Sequence, residues 1–83
     1  MSEPTADLRL LLENIAKSLV DAPDEVIVEQ IEEERETVLE LEVAESDVGK
    51  VIGRQGRTAR ALRTVVGAAG MKQNRRFALE ILE

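Results

Sequence analysis

The sequence predicts a small α+β domain, ordered α-β-β-α-α-β, with helices on one face of a three-stranded mixed sheet. Three observations carry that expectation. Apolar residues recur at helical spacing near the N-terminus and again beyond residue 57. Runs around residues 25–33, 37–43 and 77–81 alternate or are rich in β-branched residues. Between the last two helical patterns lies a glycine turn, Gly53-Arg54-Gln55-Gly56. With 83 residues, the chain is expected to form one domain with a small core, residues 6–83, behind a flexible tail, residues 1–5.

Each element has a local reason. Leu8, Leu11, Leu12, Ile15, Ala16 and Leu19 follow the i, i+3, i+4 pattern of an amphipathic helix over about Ala6–Val20. Pro23 ends it, because proline cannot continue a helix and restricts the residue before it. Val26, Ile27, Val28 and Ile31 predict a strand near Glu25–Glu33, and Thr37–Val43 alternates as a second strand. Glu33-Glu34-Arg35-Glu36 would form the hairpin turn, without the usual Asn-Gly signal. Ser46-Asp47 reads as the N-cap of a short helix reaching Ile52.

A longer helix is expected over Arg57–Ala69, with an apolar stripe of Ala61, Leu62, Val65, Val66 and Ala69. Arg57, Arg60 and Arg63 fall on the opposite side, and Gly70 reads as the helix stop. Met71–Arg75 would be a loop before a final strand containing Phe77, Leu79 and Ile81. Two helices join the last two strands, so a right-handed crossover can make them parallel.

Composition narrows the chemistry. The chain has no Cys and no His. That excludes disulfides and Cys-based zinc sites, and removes the commonest general base. No apolar run approaches a membrane span and no signal peptide is visible, so cytoplasmic residence is expected. The net charge of −6 conceals a division. Residues 1–48 hold 15 acidic and 3 basic side chains (−12), and residues 49–83 hold 2 and 8 (+6). A local basic patch suffices to meet phosphates; the plainer alternative is two solvated faces. The glutamates from Glu32 to Glu42 read as a solvated hairpin rather than a hard-cation site.

The Gly53–Gly56 turn coincides with the basic half. Glycines let backbone N–H groups approach a ligand with no Cβ in the way, and a helix N-terminus presents partial positive charge. A second glycine pair, Gly67-Ala68-Ala69-Gly70, has no cation and reads as a cap and packing feature. Gly49, inside a short helix, fits either close approach by a ligand or tight packing. The Walker loop and the dinucleotide fingerprint are absent. Phe77 is the only aromatic residue, so modules that stack bases on exposed rings are excluded.

The run Ser46-Asp47-Val48-Gly49-Lys50-Val51-Ile52-Gly53-Arg54-Gln55-Gly56-Arg57-Thr58, set between two helices and followed by a strand, resembles a KH domain. The preceding helix and hairpin resemble the type II arrangement, and the chain is similar to small stand-alone bacterial KH proteins of the KhpA kind. The resemblance implies single-stranded RNA binding without catalysis or cofactor, in RNA chaperone or post-transcriptional roles tied to cell shape and division. It also implies a homodimer, or a heterodimer with a second, Jag-like KH protein.

In that reading Gly53 and Gly56 admit the sugar-phosphate backbone. Arg54 and Arg57 supply charge, with Lys50 and Arg60 at the margin. Gln55 hydrogen-bonds at the tip, Ile52 and Val48 floor an aliphatic groove, and Gly49 permits close approach. The rival is a protein-interaction module of KH shape, since small domains gain stability by association. The longer helix would then offer Leu62, Val65, Val66 and Ala69 as an interface.

Overall fold

The computed structural model describes the backbone of residues 4–83 and the side chains of residues 8–83. Of the expected tail, residues 1–5, the first three lie outside the described residues, and Pro4 and Thr5 belong to helix α1, which runs from Pro4 to Leu19. Proline suits a helix's first turn, where its missing N–H has no partner to lose. Pro23–Glu25 forms a single 3-10 turn, and the strand expected near Glu25–Glu33 is confined to Ile27–Glu32, here β1. Strand β2 is Glu36–Glu42, helix α2 Val48–Ile52, helix α3 Arg57–Lys72 and strand β3 Arg76–Ile81.

The sheet order is β1-β2-β3. β1 and β2 pair antiparallel, and β2 and β3 pair parallel across the α2–α3 connection. Register puts Val28 opposite Leu41 and Leu41 opposite Ile81, with Leu39 opposite Leu79 and Thr37 opposite Phe77. All of these are buried on one face, against Leu8, Leu12 and Ala16 of α1, Val51 of α2, and Ala59, Leu62 and Val66 of α3. The expected two-layer type II architecture is therefore present, with its core between helices and sheet.

Three local expectations need correction. The first is the stripe of α3: Ala59, Leu62, Val66 and Gly70 are buried, Ala61 is exposed and Val65 is 46 % exposed. The buried line runs Ala59, Leu62, Val66 and Gly70, and its last member, Gly70, rests on the start of β3. The second is Gly70, which lies inside α3. A Cβ there would strike the Arg75 carbonyl and stand 2.9 Å from Phe77 N, so Gly70 lets the helix rest on the start of β3. The left-handed residue beyond the helix is Asn74, at φ 55. The third is Asp47, which makes no side-chain cap to α2 and points inward instead.

The hairpin turn is closed by Glu33 N–H donating to Glu36 O (2.8 Å), with Glu34-Arg35 as the loop. Neither loop residue has positive φ, so the twisted Asn-Gly geometry is not used. Arg75 holds the turn from outside. Its Nη2 donates to the carbonyls of Glu33 and Glu36 (3.2 and 3.3 Å) and pairs with Glu32 (2.8 Å), and its Nε donates to buried Thr37 Oγ1 (2.6 Å).

Candidate functional site

The sequence around Gly53 builds an unusual local path. α2 ends when Gly53 N–H donates to Gly49 O (2.8 Å). Gly53 then takes φ 78, ψ 169, a region that essentially only glycine occupies. Gln55 (φ 56) and Gly56 (φ 74) are both left-handed, and Gly56 leads directly into α3. The two glycines are needed for different reasons. A Cβ on Gly53 would collide with Thr58 Oγ1 and stand 2.8 Å from Thr58 Cβ. A Cβ on Gly56 would meet nothing within 4 Å; only its positive φ demands glycine there. Gly49 is exposed, and a Cβ there also meets nothing within 4 Å, so the tight-packing alternative has no contact to support it.

Arg54 and Gln55 are exposed at the tip of the turn, and Arg57 Nη2 donates weakly to Gln55 Oε1 (3.4 Å). Arg57, Arg60 and Arg63 line the exposed side of α3. Among the described residues, no carboxylate lies within salt-bridge distance of Arg54, Arg57, Arg60 or Arg63. Arg9, Lys17, Lys50 and Arg75 are all paired. No side chain caps the N-terminus of α3; the Gly56 and Arg57 N–H groups donate to the carbonyls of Gly53 and Arg54 inside the turn, and the N–H groups that follow have no side-chain cap. Arg35, Lys72 and Arg76 also lack a carboxylate within salt-bridge distance among the described residues, so the turn and the exposed side of α3 hold four of the seven unpaired cations.

Lys50 is occupied elsewhere. Its Nζ lies 3.0 Å from Asp21 Oδ2 and 3.2 Å from Asp47 Oδ1. Hydrogen bonds to Asp21 and Asp47 hold its ammonium above the ordinary lysine range, against the opposing effect of burial. Asp47 is 1 % exposed and accepts hydrogen bonds from Asp21 N–H (3.2 Å) and Ala22 N–H (3.0 Å). Burial pushes its carboxyl up, but these two N–H groups and Lys50 outweigh that and hold it below the ordinary carboxylate range. Asp47 and Lys50 thus tie α2, and with it the base of the turn, to the chain leaving α1. No spacing rule relates Asp47 to Asp21, so this brace was not visible in the sequence, and neither was Thr58 beneath Gly53.

Ile52 and Val48 are half-buried against the core. Val48 lines an open depression of about 410 Å³ with Val43 and Leu82, rimmed by Glu42, Glu45 and Glu83. A second depression of about 500 Å³ runs beside α3 at Thr64, Gly67, Ala68 and Met71, against Arg75, Arg76 and Phe77. Both open on the β3 side of the molecule. The expected site residues therefore divide. Gly49, Arg54, Gln55, Arg57 and Arg60 are exposed, with Gly53 and Gly56 half-buried in the turn between them. Ile52 supports it from below, and Lys50 braces it from the side.

The architecture, three helices on a three-stranded mixed sheet, agrees with the comparison to known proteins. A sequence model described as "KhpA/KhpB, KH domain" matches residues 9–81. The chain belongs to the KhpA/KhpB KH-domain family. The chain is 56 % identical over 75 residues to RNA-binding protein KhpA of Clostridium acetobutylicum, covering 90 % of this chain and 100 % of that protein. It is 60 % identical over 73 residues to the Borreliella burgdorferi protein of that name, covering 88 % and 89 %. For Aquifex aeolicus KhpA the identity is 53 % over 76 residues, covering 92 % and 96 %. KhpA/KhpB KH domains are binding modules rather than enzymes. Among the described residues, no helix is long and apolar enough to cross a membrane, and no three acidic side chains come together in a metal-binding cluster.

Proposed function

We propose that this protein is a cytoplasmic, single-stranded RNA-binding module that grips the sugar-phosphate backbone at Gly53–Gly56. It would serve as an RNA chaperone or post-transcriptional regulator. The observation that carries the reading is the gathering of unpaired arginines, Arg54, Arg57 and Arg60, around a turn whose glycines leave the backbone bare. The relatives named RNA-binding protein KhpA support it. Phosphates would meet the positive end of α3 and the arginine heads. Bases would lie toward Ile52 and Val48 on the β3 side, in an aliphatic groove without aromatic stacking.

The test replaces Arg54 and Gln55 with Asp and keeps both glycines. Both positions are exposed, so stability is expected to move by less than about 0.5 kcal/mol per site. Affinity for single-stranded RNA, measured by fluorescence anisotropy, is expected to fall roughly 100-fold, because two anions replace one cation on the phosphate path. For the parent, log K against log[salt] is expected to slope roughly −2, as for about three phosphates on a single strand. Unchanged affinity in the Asp pair would leave the interaction-module reading the better one.

The association reading has its own observation. Leu11 and Val65 are 48 % and 46 % exposed, side by side on α1 and α3 around a small apolar recess. Leu62 and Val66, expected at an interface, are buried in the core. Pairing with a second copy, or with a Jag-like KH partner, would use the Leu11–Val65 face. Replacing both residues with Glu and sedimenting the protein tests it.

A further inference from the structure

The sheet has a second face, turned away from all three helices. Strand alternation places Ile27, Glu29 and Ile31 of β1 on it, with Glu36, Val38, Glu40 and Glu42 of β2 and Arg76, Ala78 and Glu80 of β3; Arg76, the one cation of this face among the described residues, stands opposite Glu36 at its far end, beyond Val38 and Ala78. Register arranges these as rows across the strands. Glu29 stands opposite Glu40, and Glu40 opposite Glu80. One step along, Ile31, Val38 and Ala78 form an apolar row. On the other side, Ile27, Glu29, Glu40, Glu42 and Leu82 line a small recess of about 50 Å³. Ile27 and Ile31 are 46 % and 36 % exposed.

Like charges directly opposite one another weaken a sheet. Among the described residues, Glu29, Glu40, Glu42 and Glu80 have no cation within salt-bridge distance. A row of unpaired glutamates between exposed isoleucines repels nucleic acid but suits a lysine or arginine. The long stem of such a side chain would lie on Ile27 and Leu82, with its head among the carboxylates. The width also selects the occupant. The outer strands of a three-stranded sheet lie about 9.6 Å apart, close to the roughly 10 Å diameter of one helix.

We propose that this face docks a single amphipathic helix of a partner protein, one whose contact side carries Lys or Arg beside Leu or Ile. The proposal does not depend on the RNA reading: Glu29, Glu40 and Glu80 are not among the residues placed around the turn, although Glu42 and Leu82 edge both this face and the Val48 depression.

The test uses a synthetic amphipathic peptide with Lys and Leu on one side, titrated into the isotope-labelled full chain and followed by amide NMR. Saturable shifts are expected on Ile31, Glu40 and Glu80 and their neighbours. A matched peptide with Glu for Lys is expected not to bind. The double variant Glu29→Lys/Glu80→Lys changes two exposed positions and removes the repulsion along the row, so its Tm is expected to hold or rise. Its affinity for the peptide is expected to fall about tenfold or more. Shifts centred on α1, α3 or the turn would overturn the proposal, as would equal binding by the double variant. If the parent self-associates and the double variant does not, the face is an interface between copies of this chain and the partner-helix proposal fails.

Discussion

Gly53–Gly56 and Gly67–Gly70 have the same spacing in the same chain. At the first pair both glycines have positive φ, the backbone leaves one helix and enters the next, and exposed arginines surround it. At the second pair both glycines lie inside α3 with ordinary helical φ; Gly67 borders the open depression beside Phe77, while Gly70 seats the helix on the start of β3. Glycine's missing Cβ does separate work at the two sites: conformational freedom at the turn and close approach at the helix end. Spacing alone therefore says little about role; the backbone angles and what stands where the Cβ would be decide it.

Substitutions to alanine can break this contrast. Gly53→Ala combines a backbone region closed to alanine with a clash on Thr58, and is expected to cost about 3 kcal/mol in chemical denaturation. It should also weaken RNA binding in the fraction that remains folded. Gly70→Ala is expected to cost about 2 kcal/mol by forcing α3 off β3, with RNA affinity per folded molecule unchanged. If Gly70→Ala weakened RNA binding as much as Gly53→Ala, the separation of roles would be lost.

The other glycine of each pair sharpens the contrast, because neither would bring a Cβ into contact. Gly56→Ala is expected to cost about 1 kcal/mol from the left-handed φ alone. Gly67→Ala, in helical conformation, is expected to stabilise by about 0.5–1 kcal/mol through the lower entropy of the unfolded chain. Opposite signs at two positions with equally open surroundings would isolate the backbone contribution.

The subtlest expected change is in a pH profile. The Asp47 carboxyl is held below its ordinary range in the folded protein, so its contribution is present above the unfolded carboxylate pKa. That contribution disappears as pH falls through the lower, folded value. Lys50 runs the other way: its folded pKa is raised, so its contribution is present below the unfolded lysine pKa and lost as pH rises through the folded value. Asp47→Asn is therefore expected to flatten the acid limb of stability against pH in denaturant titrations. An unaltered acid limb would mean that the brace under α2 contributes nothing through its charge.

Much of this was legible in the sequence. The helical spacing of Leu8, Leu12 and Ala16, the alternation of Thr37, Leu39 and Leu41, and the cationic glycine turn are local patterns. They follow from the 3.6- and 2-residue periods and from glycine's access to positive φ. Those periods set the element order and the buried face of the sheet, the right-handed crossover set the parallel final strand, and the turn pattern set the exposed Arg54, Gln55, Arg57 and Arg60. Tertiary structure alone decided which partners the polar residues found. Asp47 meets Asp21 and Ala22 N–H groups across 26 and 25 residues, and Arg75 reaches the hairpin across 38 to 43. It also decided that Lys50 braces the turn, that Ala59 rather than Ala61 is buried, and that Gly70 packs instead of capping. Periodicity records which side of an element avoids water, whereas pairing of buried charges and contact between backbones depend on where the elements meet.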